Sequence, residues 1–206
     1  MKIKIFYHVC AVNNYKSIVR DQLSKIIFSG LFDVVSDVFV TIVGEFADDC
    51  EQFLSQFGPK VKVIKKDKFD TSFERLTLLN IPNYIDKTDL FLYIHSKGVT
   101  KPENEAVQDW RWMMEYFLIK RWRECLKALE SHHVVGCKFQ GWPKPHFSGN
   151  FWWARADYYL GLPREIDGDY FSPEAYVCQN GAKTYSHFDT FVQLYTERFP
   201  PSNFIY

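Results

Sequence analysis

The feature that most restricts what this chain can fold into is alternation: strand-length apolar runs and helix-patterned stretches take turns from the first residues onward. Residues 2–10 alternate and then become wholly apolar, as a buried strand does. After a turn at Ala11–Tyr15, Ile18, Leu23, Ile26 and Ile27 carry a helical pattern that stops near Gly30. Strands are then expected at 37–43 and 60–65, separated by a short helix at 51–57 that Gly58-Pro59 closes. Thr71, as N-cap, and Glu74, reaching back, form a capping box for a helix through Leu76 and Leu79. A fourth strand covers 89–95. The longest helix runs from Glu105 to about Ser131, with Trp110, Met113, Phe117, Cys125 and Leu129 mostly along one face. Strands at 134–139 and 151–154 follow, and helical patterns return at 173–180 and 188–198. This order predicts an α/β fold: one mostly parallel sheet of about six strands with helices on both faces.

With 206 residues, 47% of them hydrophobic, the chain can bury one substantial core and is too short for two ordinary domains. A single domain over residues 1–206 is therefore expected, whether or not it belongs to a longer polypeptide. Twenty-five basic residues balance twenty-five acidic ones, which argues against partners held through bulk phosphate charge, such as nucleic acid. A few cations aimed at one diphosphate remain compatible with that balance. The five cysteines form no paired motif, and Met1 leads directly into Lys-Ile-Lys-Ile without a signal peptide, so a cytoplasmic location is expected. The longest apolar runs are strand-length, and no membrane span is expected.

In a parallel sheet, ligands sit beyond the carboxyl ends of the strands. Four segments therefore matter: 9–14, 65–70, 95–98 and 146–150. The sharpest is Tyr93-Ile-His95-Ser-Lys97-Gly98, where an imidazole and an ammonium leave an apolar strand beside a glycine that allows close backbone approach. That is a compact cationic site suited to a diphosphate. The residues alone leave open whether His95 merely caps the strand while Lys97 is solvated. Ser148, Gly149 and Asn150, ahead of the aromatic run Phe151-Trp-Trp153, offer groups that read sugar hydroxyls, with one of Trp152 and Trp153 nearby. The other indole belongs in the core, since strand side chains alternate. Pro173 and Glu174 suit the first turn of a helix. Asp167-Gly-Asp169 reads as a turn, and Asp70 and Arg75 flank the helix after the third strand.

At these residues the chain resembles a known family. Its element order is similar to that of the GT-A nucleotide-diphospho-sugar transferases. His95-Ser-Lys97-Gly98 resembles the Ile-His-Thr-Lys segment of the rhamnan-synthesis group, and Ser148–Arg155 resembles that group's Ser-Gly-x-x-Phe-Trp-Ala-Arg segment. Asp70 looks like its acidic residue at the third strand's exit. The chain also resembles glycosyltransferase domains of large algal viruses, which would place it in a host cytoplasm. The resemblance implies transfer of a glucose- or L-rhamnose-type sugar from a UDP-sugar to a hydroxyl of a growing glycan, on a capsid or surface glycoprotein.

It further implies that Tyr7, His8, Val9 and Cys10, with Asp70, Arg75 and Gly98, hold the nucleotide, and that Ser148, Gly149 and Asn150 position the sugar. His95 and Lys97 would stabilise the departing UDP, with Glu174 or Asp157 as the carboxylate near the anomeric centre. Where most of the family carries Asp-x-Asp for Mn²⁺, this chain has His95-Ser-Lys97. Two possibilities follow: His95 and Asp70 hold Mn²⁺ or Mg²⁺, or Lys97 itself neutralises the phosphate. A non-catalytic nucleotide- or glycan-binding module is the alternative from another functional class. A sugar-nucleotide nucleotidyltransferase would normally show a Gly-rich basic loop after the first strand, and Ala11-Val-Asn-Asn-Tyr15 is not one.

Overall fold

The computed structural model describes residues 1–67 and 73–205, so Asp70 and the Thr71 cap lie outside the described residues. The first half is a regular βα alternation. β1 (Ile3–Cys10) leads into α1 (Tyr15–Phe28) and the single turn α2 (Leu31–Val34), then β2 (Val35–Val43), α3 (Ala47–Leu54) and β3 (Val61–Asp67). A short α4 (Arg75–Leu78) precedes β4 (Leu90–His95). Next come α5 (Glu105–Glu115), a π-helical turn at Tyr116–Lys120 and α6 (Trp122–Leu129). β5 (Val134–Gly136) is followed by the hairpin of β6 (Phe139–Gln140) and β7 (His146–Phe147), and then by β8 (Trp152–Arg155). Single-turn helices α7 (Ala156–Tyr159) and α8 (Ser172–Ala175) precede β9 (Thr184–Ser186).

The main sheet has the order β3-β2-β1-β4-β8-β5-β9. The first four strands in that order are mutually parallel, and β8 runs antiparallel to both neighbours. The alternation of β1 divides the core between the two faces of the sheet. Ile5, Tyr7 and Val9 face α1, α3 and α5 in one cluster, while Phe6 joins Phe39, Phe91, Tyr93 and Trp152 in the other. Trp153 falls in the first cluster and Trp152 in the second, both fully buried. Neither indole is therefore available to a ligand, because the sheet is covered on both sides where β8 lies.

Several details differ from the sequence expectation. The strand expected at 134–139 splits into β5 and β6, which lie in separate sheets, and the helices expected after Glu74 and at 173–180 shrink to the single turns α4 and α8. The sheet gains a seventh strand, β9, whose exposed Tyr185 hides the alternation that would mark it. The long helix breaks at Tyr116–Lys120, where the Arg121 N–H reaches the Tyr116 carbonyl and the Leu118 carbonyl accepts from the Trp153 indole at 2.8 Å. Residues 188–198 form no helix: Phe188 stacks on Phe117, Phe191 is fully exposed, and the Lys138 ammonium donates to the Thr190 and Val192 carbonyls.

Candidate functional site

A cleft of about 320 Å³ opens at the carboxyl ends of β1 and β4, where strand order places the ligand sites of parallel sheets. His8, Cys10, Glu74, His95, Lys97, Gly98, Gly149, Asn150 and Glu174 all line it. Parallel pairing sets His8 beside His95, and the exit of β4 then turns across the cleft floor.

The turn after β7 builds the opposite wall. Gly149 and Asn150 both have left-handed backbones, with φ of 90° and 56°. At Gly149 a Cβ would lie 2.7 Å from Met114 Sδ and 2.9 Å from Trp110 ring atoms, so only glycine lets this turn pack against α5. The Gly149 N–H donates to Glu174 Oε1 at 2.6 Å, and its carbonyl accepts from His95 Nε2 at 2.9 Å. Asn150 bridges inward: its oxygen accepts from the Trp152 indole at 2.7 Å, and its amide donates to Glu74. Glu74 also accepts the Tyr93 hydroxyl at 2.6 Å. Asn150 thus locks one carboxylate in place; it is not left with a free amide edge for a sugar hydroxyl.

Because a carbonyl can only accept, His95 Nε2 carries the proton and Nδ1 is bare. Burial, reinforced by the nearby Lys97, pushes the His95 pKa down to about 3, so the ring is neutral at ordinary pH. Its Nδ1 lies 3.5 Å from Glu74 Oε1, a contact that becomes an ion pair only on protonation. His8 is likewise held down to about 4 by burial, with Nδ1 2.8 Å from the Thr77 hydroxyl. Lys97 supplies the cleft's central cation. Its ammonium sits 3.7 Å from the centroid of the Trp110 ring. Burial lowers its pKa, and Glu174 and Glu74 oppose that shift.

Two buried side chains hold the β4 exit from behind. Gln22, fully buried on α1, donates to the His95 carbonyl at 3.2 Å and accepts the Tyr7 hydroxyl at 2.5 Å. Arg111 on α5 donates to the Lys97 carbonyl at 2.9 Å and lies 3.4 Å from Glu115, which Lys25 neutralises at 2.5 Å. The backbone that presents Lys97 is thereby fixed from the core side.

The other expected site residues fall elsewhere. Tyr7 and Val9 point into the core on the opposite face of β1, so strand alternation leaves only His8 and Cys10 of that group at the cleft. Arg75 is half-buried and grips the backbone carbonyls of Asp167 and Asp169. Ser148 uses its N–H on the Lys138 carbonyl and is not part of the lining. Asp157 is remote: β8 is antiparallel to β4, Arg155 pairs with Leu90 at that strand's start, and Asp157 is bound to Arg155 at the far end of the sheet. Glu74 is a cleft residue to which the sequence pattern gives only a helix-capping role. Among the described residues no three His, Cys, Asp or Glu side chains come close enough to share a metal ion. Of the expected pair of ligands, His95 offers Nδ1 alone, with an ammonium two residues on, and Asp70 lies outside the described residues.

Comparison with known proteins agrees with this architecture. The chain belongs to the family described as a domain of unknown function, DUF8361, whose model matches residues 6–167. Curated protein sequences give no match. Among solved structures, it is similar to 4-diphosphocytidyl-2C-methyl-D-erythritol synthase from Anaerococcus prevotii, with a TM-score of 0.50, 9% identity, and coverage of 98% of this chain and 94% of that one. The Rv0371c protein of Mycobacterium tuberculosis gives 0.50 at 13% identity over 97% and 95% of the two chains. A mannosyltransferase from Pyrobaculum calidifontis, solved with GDP-Man and Mn²⁺, gives 0.50 at 10% identity, over 90% of this chain and 54% of that one. At such identities the likeness is one of fold: a GT-A-like sheet of the kind used by nucleotidyl- and glycosyltransferases.

Proposed function

We propose that this cleft binds a nucleoside-diphosphate sugar, specifically a UDP-sugar, and transfers a glucose- or rhamnose-type glycosyl group to a hydroxyl of a growing glycan. The observation that carries the reading is Lys97, an ammonium fixed on the Trp110 face at the exit of β4, with Glu74 and Glu174 on the same cleft. In this reading residues 1–206 act as one domain, and the acceptor is a capsid or surface glycoprotein glycan met in the cytoplasm.

The chemistry follows from the placement. As the anomeric bond breaks, negative charge grows on the leaving diphosphate. A preorganised, half-buried ammonium stabilises that charge more than it stabilises the ground state. Glu174, with one oxygen anchored by the Gly149 N–H, is the carboxylate that would take the acceptor hydroxyl's proton. Glu74 is held by Tyr93 and Asn150 and keeps His95 oriented between itself and the Gly149 carbonyl. The Pyrobaculum enzyme was solved with Mn²⁺. Here the described residues pair one bare imidazole nitrogen with a lysine, which does not fit a divalent-ion cage.

Purified protein incubated with a panel of UDP-sugars tests the reading. Release of free UDP, increased by glycan acceptors, is the expected result. Release of pyrophosphate from CTP and a sugar phosphate would move the assignment to nucleotidyl transfer, which the full-length overlap with the Anaerococcus synthase makes the second reading. Binding without release of either product would make the domain a binding module.

A further inference from the structure

The cleft has an aromatic corner that the fold does not use. Phe73 is 42% exposed and Tyr170 82%, whereas the largest aromatic side chains of the sheet, Trp152, Trp153 and Tyr93, are completely buried. Both exposed rings line the cleft, and they meet edge to face at 5.7 Å and 86°. They arrive from separate segments, one ahead of α4 and the other ahead of α8. Phe73 holds a left-handed backbone, φ 45°, which bulky residues seldom adopt unless their surroundings impose it.

Tyr170 is not on a loose loop. Arg75 donates to the carbonyl of Asp167 at 3.0 Å and to that of Asp169, and the Asp169 carboxylate accepts the N–H groups of Phe171 and Ser172, each at 2.9 Å. The tyrosine is therefore presented to solvent from an anchored turn, at the lip of the cleft that also holds Glu174. An aromatic face kept rigid and wet loses little freedom when a ligand's apolar face covers it.

Charge selects the occupant. The cleft carries two carboxylates, Glu74 and Glu174, and two ammonium groups, Lys97 at the exit of β4 and Lys101 beyond it; Lys144, outside the lining, lies 3.8 Å from Asp167 and 3.9 Å from Asp169. The lip beside Glu174 suits a neutral ring better than a phosphate. The cleft's other exposed aromatic, Tyr195, carries the Lys101 ammonium 4.4 Å from its centroid, a cationic surface that suits the nucleotide. We propose that the Phe73–Tyr170 corner is an acceptor subsite, where the apolar face of a neutral pyranose packs and one of its hydroxyls is delivered to Glu174. This rests on the transferase reading and specifies its acceptor side.

Saturation-transfer NMR on the full chain, with methyl glucoside, methyl rhamnoside and methyl galactoside as probes, tests it. Wild type should bind at least one of them. Tyr170→Ala and Phe73→Ala, both at exposed positions, should weaken that binding by about tenfold, equivalent to about 1.4 kcal/mol. UDP affinity should change by less than about twofold, and Tyr170→Trp should restore binding. The proposal is overturned if wild type binds none of the pyranosides, if both alanine variants bind them normally, or if the variants lose UDP along with the sugar. Failure of the transferase reading is a separate result: no UDP released by wild type, with pyranoside binding intact.

Discussion

Two neutral imidazoles sit side by side on β1 and β4, and they make the protein acid-sensitive in a calculable way. His8 is 4% exposed and His95 has 15% of its side chain exposed; burial is the main cause that holds their pKa values at about 4 and about 3. Lys97 also lowers His95 and His95 lowers His8, while Glu174 raises His95 and Glu74 raises His8. In the unfolded chain each ring titrates near 6.5. The folded values are depressed, so stability is fully present above about pH 6.5 and is lost as pH falls toward 4, the window in which only the unfolded chain takes up these protons. Each ring then contributes a slope of about 1.4 kcal/mol per pH unit, or roughly 2.7 kcal/mol by about pH 4.5 and roughly 5 for the pair. Urea unfolding followed by circular dichroism, from about pH 7 down to about pH 4.5, measures this in wild type, His95→Gln and His8→Asn. Each variant should lose about one histidine's share of the slope, whatever its stability at neutral pH. Variant curves running parallel to wild type would refute the reasoning.

Other perturbations have equally definite outcomes. Lys97→Met keeps an apolar stem on Trp110 but removes the charge; turnover should fall by about 10²-fold or more, with weaker UDP binding, while circular dichroism stays native. Asp157→Asn should leave turnover unchanged in the same assay, because its carboxylate is bound to Arg155 at the opposite end of the sheet. Gly149→Ala forces a Cβ within 3 Å of Met114 and Trp110 at φ 90°, so denaturant melts should show a loss of about 2 kcal/mol or more.

The fold was readable because its strongest signals are local. The apolar runs at β1, β2 and β4 and the helical spacing of Ile18, Leu23 and Ile26 need no knowledge of their neighbours. What escaped was long-range. Asp157 lies seven residues beyond Asn150 in sequence, but one antiparallel strand carries it to the far end of the sheet. Glu74 looked like a helix cap, since its partners Tyr93 and Asn150 are 19 and 76 residues away. Tyr7 is expected from the resemblance to help hold the nucleotide, yet strand alternation turns it into the core, where its hydroxyl supports Gln22 and through it the His95 carbonyl. Cleft residues that are single members of a strand or turn, such as His95, Lys97 and Gly149, were legible because position along the element is enough to place them. Carboxylate roles depend on which segments cross, and no local pattern records that.

The most direct test of a nucleotide-sugar site at the exit of β4 is a thermal-shift and calorimetric comparison of UDP, GDP, ADP and CMP on wild type and Lys97→Met. UDP at about 100 times its Kd should stabilise wild type by roughly 2.7 kcal/mol, the other nucleotides should do little, and Lys97→Met should lose most of the UDP effect. No stabilisation by any nucleotide, or equal stabilisation of both proteins, would contradict the account.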